Sequence, residues 1–160
     1  MEGRIAGLRT GGIVMIGAGN GLRGDDAAGS VLARRLMGRG IGRVFDGGAA
    51  PENYCERAAA LSPSAVFIAD AACFGGGPGE IRLIDPHALG AGALSTHGVS
   101  LRPLAEWIEA RCGCSVCVIG IEPSRARGGE GLSRPVRRAV DALEEYFAGL
   151  FAAQPGGDPP

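Results

Sequence analysis

The sequence predicts an α/β protein of three layers (αβα): a twisted, mostly parallel five-stranded sheet with one antiparallel edge strand and helices on both faces. Three observations predict it. Short runs of continuous apolar, largely β-branched residues at 13–16, 65–69 and 115–121 read as strands buried on both sides. These runs alternate with stretches of helical apolar spacing, the pattern of parallel strands joined by right-handed crossovers. Glu80-Ile-Arg-Leu-Ile84 instead alternates apolar with charged residues, as an antiparallel edge strand with one wet face does. With 160 residues the chain is expected to form a single domain over 1–153, followed by a disordered tail over 154–160.

Residues 13–16 (Ile-Val-Met-Ile) form the first strand and run into Gly17-Ala-Gly-Asn-Gly-Leu-Arg-Gly24, after which a helical pattern begins at the adjacent Asp25 and Asp26. Glycine adopts positive φ without steric cost and asparagine tolerates it, so this turn can deliver both aspartates to the end of the sheet. One aspartate is suited to capping the helix, which leaves the other for chemistry. The helix carries Ala28, Val31, Leu32 and Leu36 on one side and ends in the glycines between 38 and 42. Val44 and Phe45 begin a second strand, and Pro51 suits the first turn of a second helix ending near Leu61. The third strand, 65–69, leads directly into Asp70. A glycine-rich loop over 71–79, the alternating strand, and a loop over 85–96 with His87 near its start and His97 just beyond its end come next. Leu101, Leu104, Ala105, Ile108 and Cys112 repeat at helical spacing before the last strand, and Ser133 opens a long helix with Val136, Val140, Leu143, Phe147 and Leu150 on one face.

Composition narrows the function classes. Hydrophobic residues make up 46% and charged residues 21%, and the net charge is −1, so there is no electrostatic case for nucleic acid or an anionic membrane as partner. All 16 basic residues are arginine and they are scattered rather than clustered. The first ten residues lack the apolar run of a secretory signal, and no run approaches the roughly 18 residues of a membrane helix. A cytoplasmic, monomeric protein is the expectation. Five cysteines, an odd number, then read as reduced thiols rather than a disulfide framework.

Ligands of open α/β sheets bind beyond the carboxyl ends of the strands, and Asp25, Asp26, Asp70 and the loop leading to His97 all emerge there. Each has a plain structural reading by itself: a helix cap, a turn-former, an exposed loop residue. Together, two carboxylates and one imidazole from three separate loops make a ligand set for a divalent transition metal. Three ligands leave coordination positions open, as in catalytic or transient rather than closed structural sites. His87 reads as structural. Cys112-Gly-Cys114-Ser-Val-Cys117 has the look of a thiolate cluster, but it straddles a helix end and a strand, and no second Cys/His pair completes a zinc site. Gly17-Ala-Gly19-Asn-Gly21-Leu22 places Leu22 where a dinucleotide fingerprint needs its third glycine, and an acidic helix start repels a pyrophosphate. No cofactor-binding residues are assigned.

An ordered set of motifs resembles the nickel-iron hydrogenase maturation endopeptidases, in particular the hydrogenase-3 processing type. The matching pieces are Gly17-Ala-Gly-Asn20 with Gly24-Asp25-Asp26, Pro51-Glu-Asn53, Ala69-Asp70, Thr96-His97 with Leu101, and Ile119-Gly-Ile-Glu-Pro123 before a proline-containing final helix. They span residue 13 to about residue 151 in the family's order; Gly21-Leu-Arg23 departs from the more apolar turn usual there. The resemblance implies a protease that removes the C-terminal extension of a hydrogenase large-subunit precursor once nickel is inserted. It also implies that Asp26, Asp70 and His97 contact that nickel, that Asp26 and Asp70 are the catalytic carboxylates, and that Asp25 supports or caps. Nickel then arrives with the substrate and is held only weakly by the enzyme alone. A carboxylate or a metal-bound water would activate the attacking water. The alternatives are a nickel-binding carrier, which would hold metal by itself, and a nucleotide-binding module, which would need an anion-friendly first helix.

Overall fold

The computed structural model describes residues 12–88, 101–124 and 131–154. Its centre is a sheet of β1 (Ile13–Ala18), β2 (Val44–Gly48), β3 (Ala65–Ala71), β4 (Ile81–Ile84) and β5 (Ser115–Ile121) in the order β2-β1-β3-β5-β4. β1, β2, β3 and β5 are parallel. β4 pairs antiparallel with β5 at the edge, Ile81 opposite Ile121 and Ile84 opposite Val118, as its alternation predicts. Every residue of β1 and β3 is buried, in keeping with the unbroken apolarity of residues 13–16 and 65–69, and Asp70 is buried with them.

The pleat sends alternate residues into two separate cores. Ile13 and Met15 of β1, Ala65, Phe67 and Ala69 of β3, and Ile119 and Ile121 of β5 face α1 (Ala28–Gly38) and a long later helix (Arg134–Ala152). Leu32 and Leu36 meet Val136, Val140, Leu143 and Phe147 there, and the Phe147 ring stands edge-on to Phe67 at 5.4 Å. The opposite parity, Val14, Ile16, Val66, Ile68, Val116 and Val118, faces α2 (Cys55–Ala60) and α3 (Leu101–Cys112). The long helix, α4 in chain order, is clamped to α1 by Arg35 to Asp141 at 2.6 Å and by Arg39 to Glu144 at 2.7 Å and to Glu145.

Several boundaries differ from those the sequence predicts, including that of β3, which runs through Asp70 to Ala71. Neither of the first two helices begins as α-helix: 3-10 turns at Gly24–Ala27 and Pro51–Tyr54 come first, so Asp25 and Asp26 lie in a tighter turn than predicted and cap nothing within it. β1 extends to Ala18, into the glycine-rich stretch. Gln154, assigned to a disordered tail, belongs to the folded body: its Oε1 accepts a hydrogen bond from the Ile13 backbone N–H at 2.9 Å, closing the far end of the chain onto the first strand.

Candidate active site

From β1 the chain moves outward to β2, and from β3 it moves the other way, toward β5 and β4. The adjacent ends of β1 and β3 are therefore the switch point of the sheet, where a crevice opens beyond the strand ends. Asp26 follows β1 and Asp70 is the penultimate residue of β3, so the topology sets one on each side of that crevice.

Close packing presses the first of these against the sheet. A Cβ on Gly29 would lie 2.0 Å from the Ala69 carbonyl oxygen and 2.5 Å from that of Ala18, and one on Gly17 would lie 2.2 Å from the Gly29 oxygen. Backbone here touches backbone, which only glycine permits. Positive φ, which the sequence predicts for the glycines of the turn, is found at Gly19 (+143°) and Gly24 (+54°) but not at Gly17. Asn20 is not left-handed either. Its Oδ1 accepts the Leu22 N–H at 3.0 Å and its carbonyl accepts the Arg23 N–H at 3.0 Å, a side-chain-closed turn that passes the chain to Asp25 and Asp26.

The two adjacent aspartates are committed differently. Asp25 accepts the Ser124 N–H on Oδ2 at 2.9 Å and the Ser133 N–H on Oδ1 at 2.6 Å. It thus ties the exit of β5 to the start of α4, and supports a helix distant in sequence rather than its own. Among the described residues, no hydrogen bond or ion pair engages the Asp26 carboxylate, which is half-buried at the rim. Asp70 is 1% exposed; its buried Oδ1 makes no hydrogen bond among the described residues, although the residue is otherwise in contact with a partner. It shares the pleat face of Val66 and Ile68, the layer in which α3 begins with the buried Leu101. His97, the third predicted metal contact, lies outside the described residues, four positions before Leu101. Among the described residues no group of three or more His, Cys, Asp or Glu is placed to hold a metal ion.

Two further acids stand at this end of the sheet and were missed from the sequence. Asp46, in β2, accepts the Ser30 hydroxyl at 2.6 Å and the Gly48 N–H at 3.1 Å, with Arg34 at 3.8 Å. Glu122, just past β5 and 3% exposed, accepts the N–H groups of Phe74 and Gly76 at 2.8 and 3.1 Å and so shapes the loop after Asp70. The signal that would have found both is the one that found Asp70: an acid at the carboxyl end of a buried strand. His87 is structural, as read. Its Nε2 lies 2.7 Å from Glu109 Oε2, and Glu109 also accepts the Val116 N–H at 3.1 Å.

The cysteine segment does not assemble. Cys112 and Cys114 pack against the core under α2 and α3, whereas Cys117 packs into the opposite one. Burial pushes the Cys55 thiol up to about 11 and the Cys114 thiol up to about 12, the latter with a contribution from the neighbouring Cys112.

The hydrogenase maturation protease profile matches residues 28–149 of the chain. The hydrogenase 3 maturation protease of Escherichia coli K12 is 33% identical over 139 residues, covering 85% of this chain and 88% of that protein. This chain belongs to the hydrogenase maturation protease family. It is a peptidase. Among solved structures of the family, HycI from Thermococcus kodakarensis superposes with a TM-score of 0.76 at 34% identity, covering 87% of this chain and 91% of that one. The solution structure of the endopeptidase HycI from Escherichia coli gives 0.74 at 32% identity, with 86% and 90% covered. The family fold is thus the sheet described above, and the switch-point crevice is its candidate active site. No helix among the described residues is long and apolar enough to cross a membrane.

Proposed function

We propose that this protease acts, as a cytoplasmic monomer, on the large-subunit precursor of a nickel-iron hydrogenase, removing its C-terminal extension after nickel insertion. Asp26, Asp70 and His97 contact the nickel that the precursor brings. The observation that supports this reading most directly is the uncommitted carboxylate of Asp26 across the switch point from the buried Asp70, beside a neighbour, Asp25, whose oxygens are both spent on backbone N–H groups.

Two carboxylates and an imidazole suit a borderline divalent ion, and three ligands with open positions make a weak site until the substrate supplies the rest. The enzyme then discriminates by completing a shared coordination sphere, and the scissile peptide is held beside the carboxylates, where proximity lowers the barrier. Incubating the enzyme with precursor prepared with and without nickel, and following the released C-terminal fragment by mass spectrometry, tests this. Cleavage confined to the nickel-loaded precursor is the expected result. Equal cleavage of both forms overturns metal recognition by Asp26, Asp70 and His97 while leaving the peptidase standing.

A further inference from the structure

The turn between Asn20 and Asp25 carries a residue that the fold does not use. Leu22 is 95% exposed, whereas the other large exposed apolar residues, Met37 and Trp107, are 46% and 40% exposed and so more than half covered. Isolated surface leucines are ordinary, but a leucine with nearly its whole side chain in water contributes no burial to folding. Nor is its position a matter of a slack loop. Asn20 closes the turn through its own Oδ1 to the Leu22 N–H, the Asn20 carbonyl holds the Arg23 N–H, and the Arg23 carbonyl holds the Asp26 N–H at 3.1 Å. Beneath, Gly21 stands over the Arg34 guanidinium, which a Cβ there would meet at 3.8 Å. The backbone that fixes Asp26 is the backbone that holds Leu22 outward.

We infer that Leu22 is a docking residue for the precursor, an apolar tip that enters a hydrophobic depression on the substrate surface beside its cleavage site. The assignment rests on the substrate reading above. The occupant follows from reach: four residues of even fully extended chain span at most about 14 Å. A folded protein whose reacting atoms approach Asp26 therefore has surface within that distance of Leu22. The accessible groups around this turn are charged, Asp26 and Asp46 half-buried and Arg23 and Arg34 exposed, so Leu22 supplies an apolar anchor that these do not. Its contribution is to association, not to the bond-breaking step.

The test is steady-state kinetics of C-terminal fragment release from nickel-loaded precursor by the full chain and its Leu22→Glu and Leu22→Met variants. Leu22→Glu is expected to raise KM about ten-fold or more, the worth of one leucine withdrawn from water, with kcat within about three-fold and an unchanged unfolding midpoint. Leu22→Met, which keeps the apolar reach, is expected to restore KM. An unchanged KM in Leu22→Glu, or a fall in kcat at constant KM, overturns the docking role while wild-type cleavage leaves the substrate assignment intact. Failure of the wild-type chain to cleave at all overturns the substrate assignment and the docking role with it.

Discussion

Two stretches of this chain carry dense chemistry in the sequence, the acidic glycine-rich turn around residues 17–29 and the cysteine segment 112–117, and the fold treats them in opposite ways. The turn follows a central strand at the switch point, is pressed onto two strand ends through Gly17 and Gly29, and leaves the Asp26 carboxylate uncommitted among the described residues. The cysteines cross from a helix end into a strand, so that Cys112 and Cys114 pack against one core and Cys117, in the strand, against the other. Density of reactive residue types is therefore not what makes a site. Convergence is, and convergence is set by topology.

The largest effect that would sharpen this contrast lies within the turn itself. Asp26→Asn is expected to lower kcat/KM for precursor processing by roughly 100-fold or more, since it removes the carboxylate assigned to the metal and the attacking water. Asp25→Asn replaces an acceptor of two backbone N–H groups and is expected to cost about 1 to 3 kcal/mol of stability while the folded fraction keeps its activity. Urea denaturation alongside processing assays separates the two. Full activity in Asp26→Asn with loss in a well-folded Asp25→Asn would reverse the assignment.

Next in size is the packing that places the turn. Gly29→Ala puts a methyl carbon 2.0 Å from the Ala69 oxygen and 2.5 Å from the Ala18 oxygen, both backbone atoms of buried strands that cannot swing aside. Overpacking of this kind costs about 1 to 3 kcal/mol or more. Because the helix must lift from the sheet, Asp26 moves with it, and processing falls beyond what the lost stability accounts for. A variant of wild-type stability and activity would show that the turn is positioned by something other than the Gly29 contact.

The parts of the molecule that were legible in the sequence are those governed by local periodicity. Continuous apolarity in residues 13–16 and 65–69 marked the central strands, and alternation over Glu80–Ile84 marked the antiparallel edge. Asp70 was legible because strand ends in such sheets face the crevice. Long-range geometry was not. Asp25 spends its oxygens on N–H groups 99 and 108 residues away, a partnership no local pattern encodes, whereas its place at a helix start predicts a cap for its own helix. Gly17 falls in the turn for which the sequence predicts positive φ, yet it is kept for space, as is Gly29 in the helix, and in sequence the two requirements look the same. Leu22, a departure within an otherwise familiar motif, became informative only once its exposure was known.

The smallest effects belong to the cysteine segment, and they test the other half of the contrast. A thiol reacts and ligates as its thiolate, and burial raises Cys55 to about 11 and Cys114 to about 12, so both stay protonated near neutrality. Iodoacetamide at pH 8 should therefore modify the exposed Cys73 first and Cys55 and Cys114 last, with peptide mass mapping as the readout. The sign of the pH dependence follows from the same shifts. Where the folded chain holds these protons and the unfolded chain, with thiols at the ordinary value of 9.0, has lost them, folding binds protons. Stability is full below that value and declines as pH rises from it through 11 and 12. Replacing Cys112, Cys114 and Cys117 by Ala, Ala and Val removes three thiols from two different cores, which costs packing and leaves the rim around Asp26 untouched. Processing by the folded fraction should then equal that of the wild-type chain. Rapid alkylation of Cys114 in the folded protein, with processing lost in step, would place a reactive centre in the cysteine segment, away from the strand ends on which the site converges.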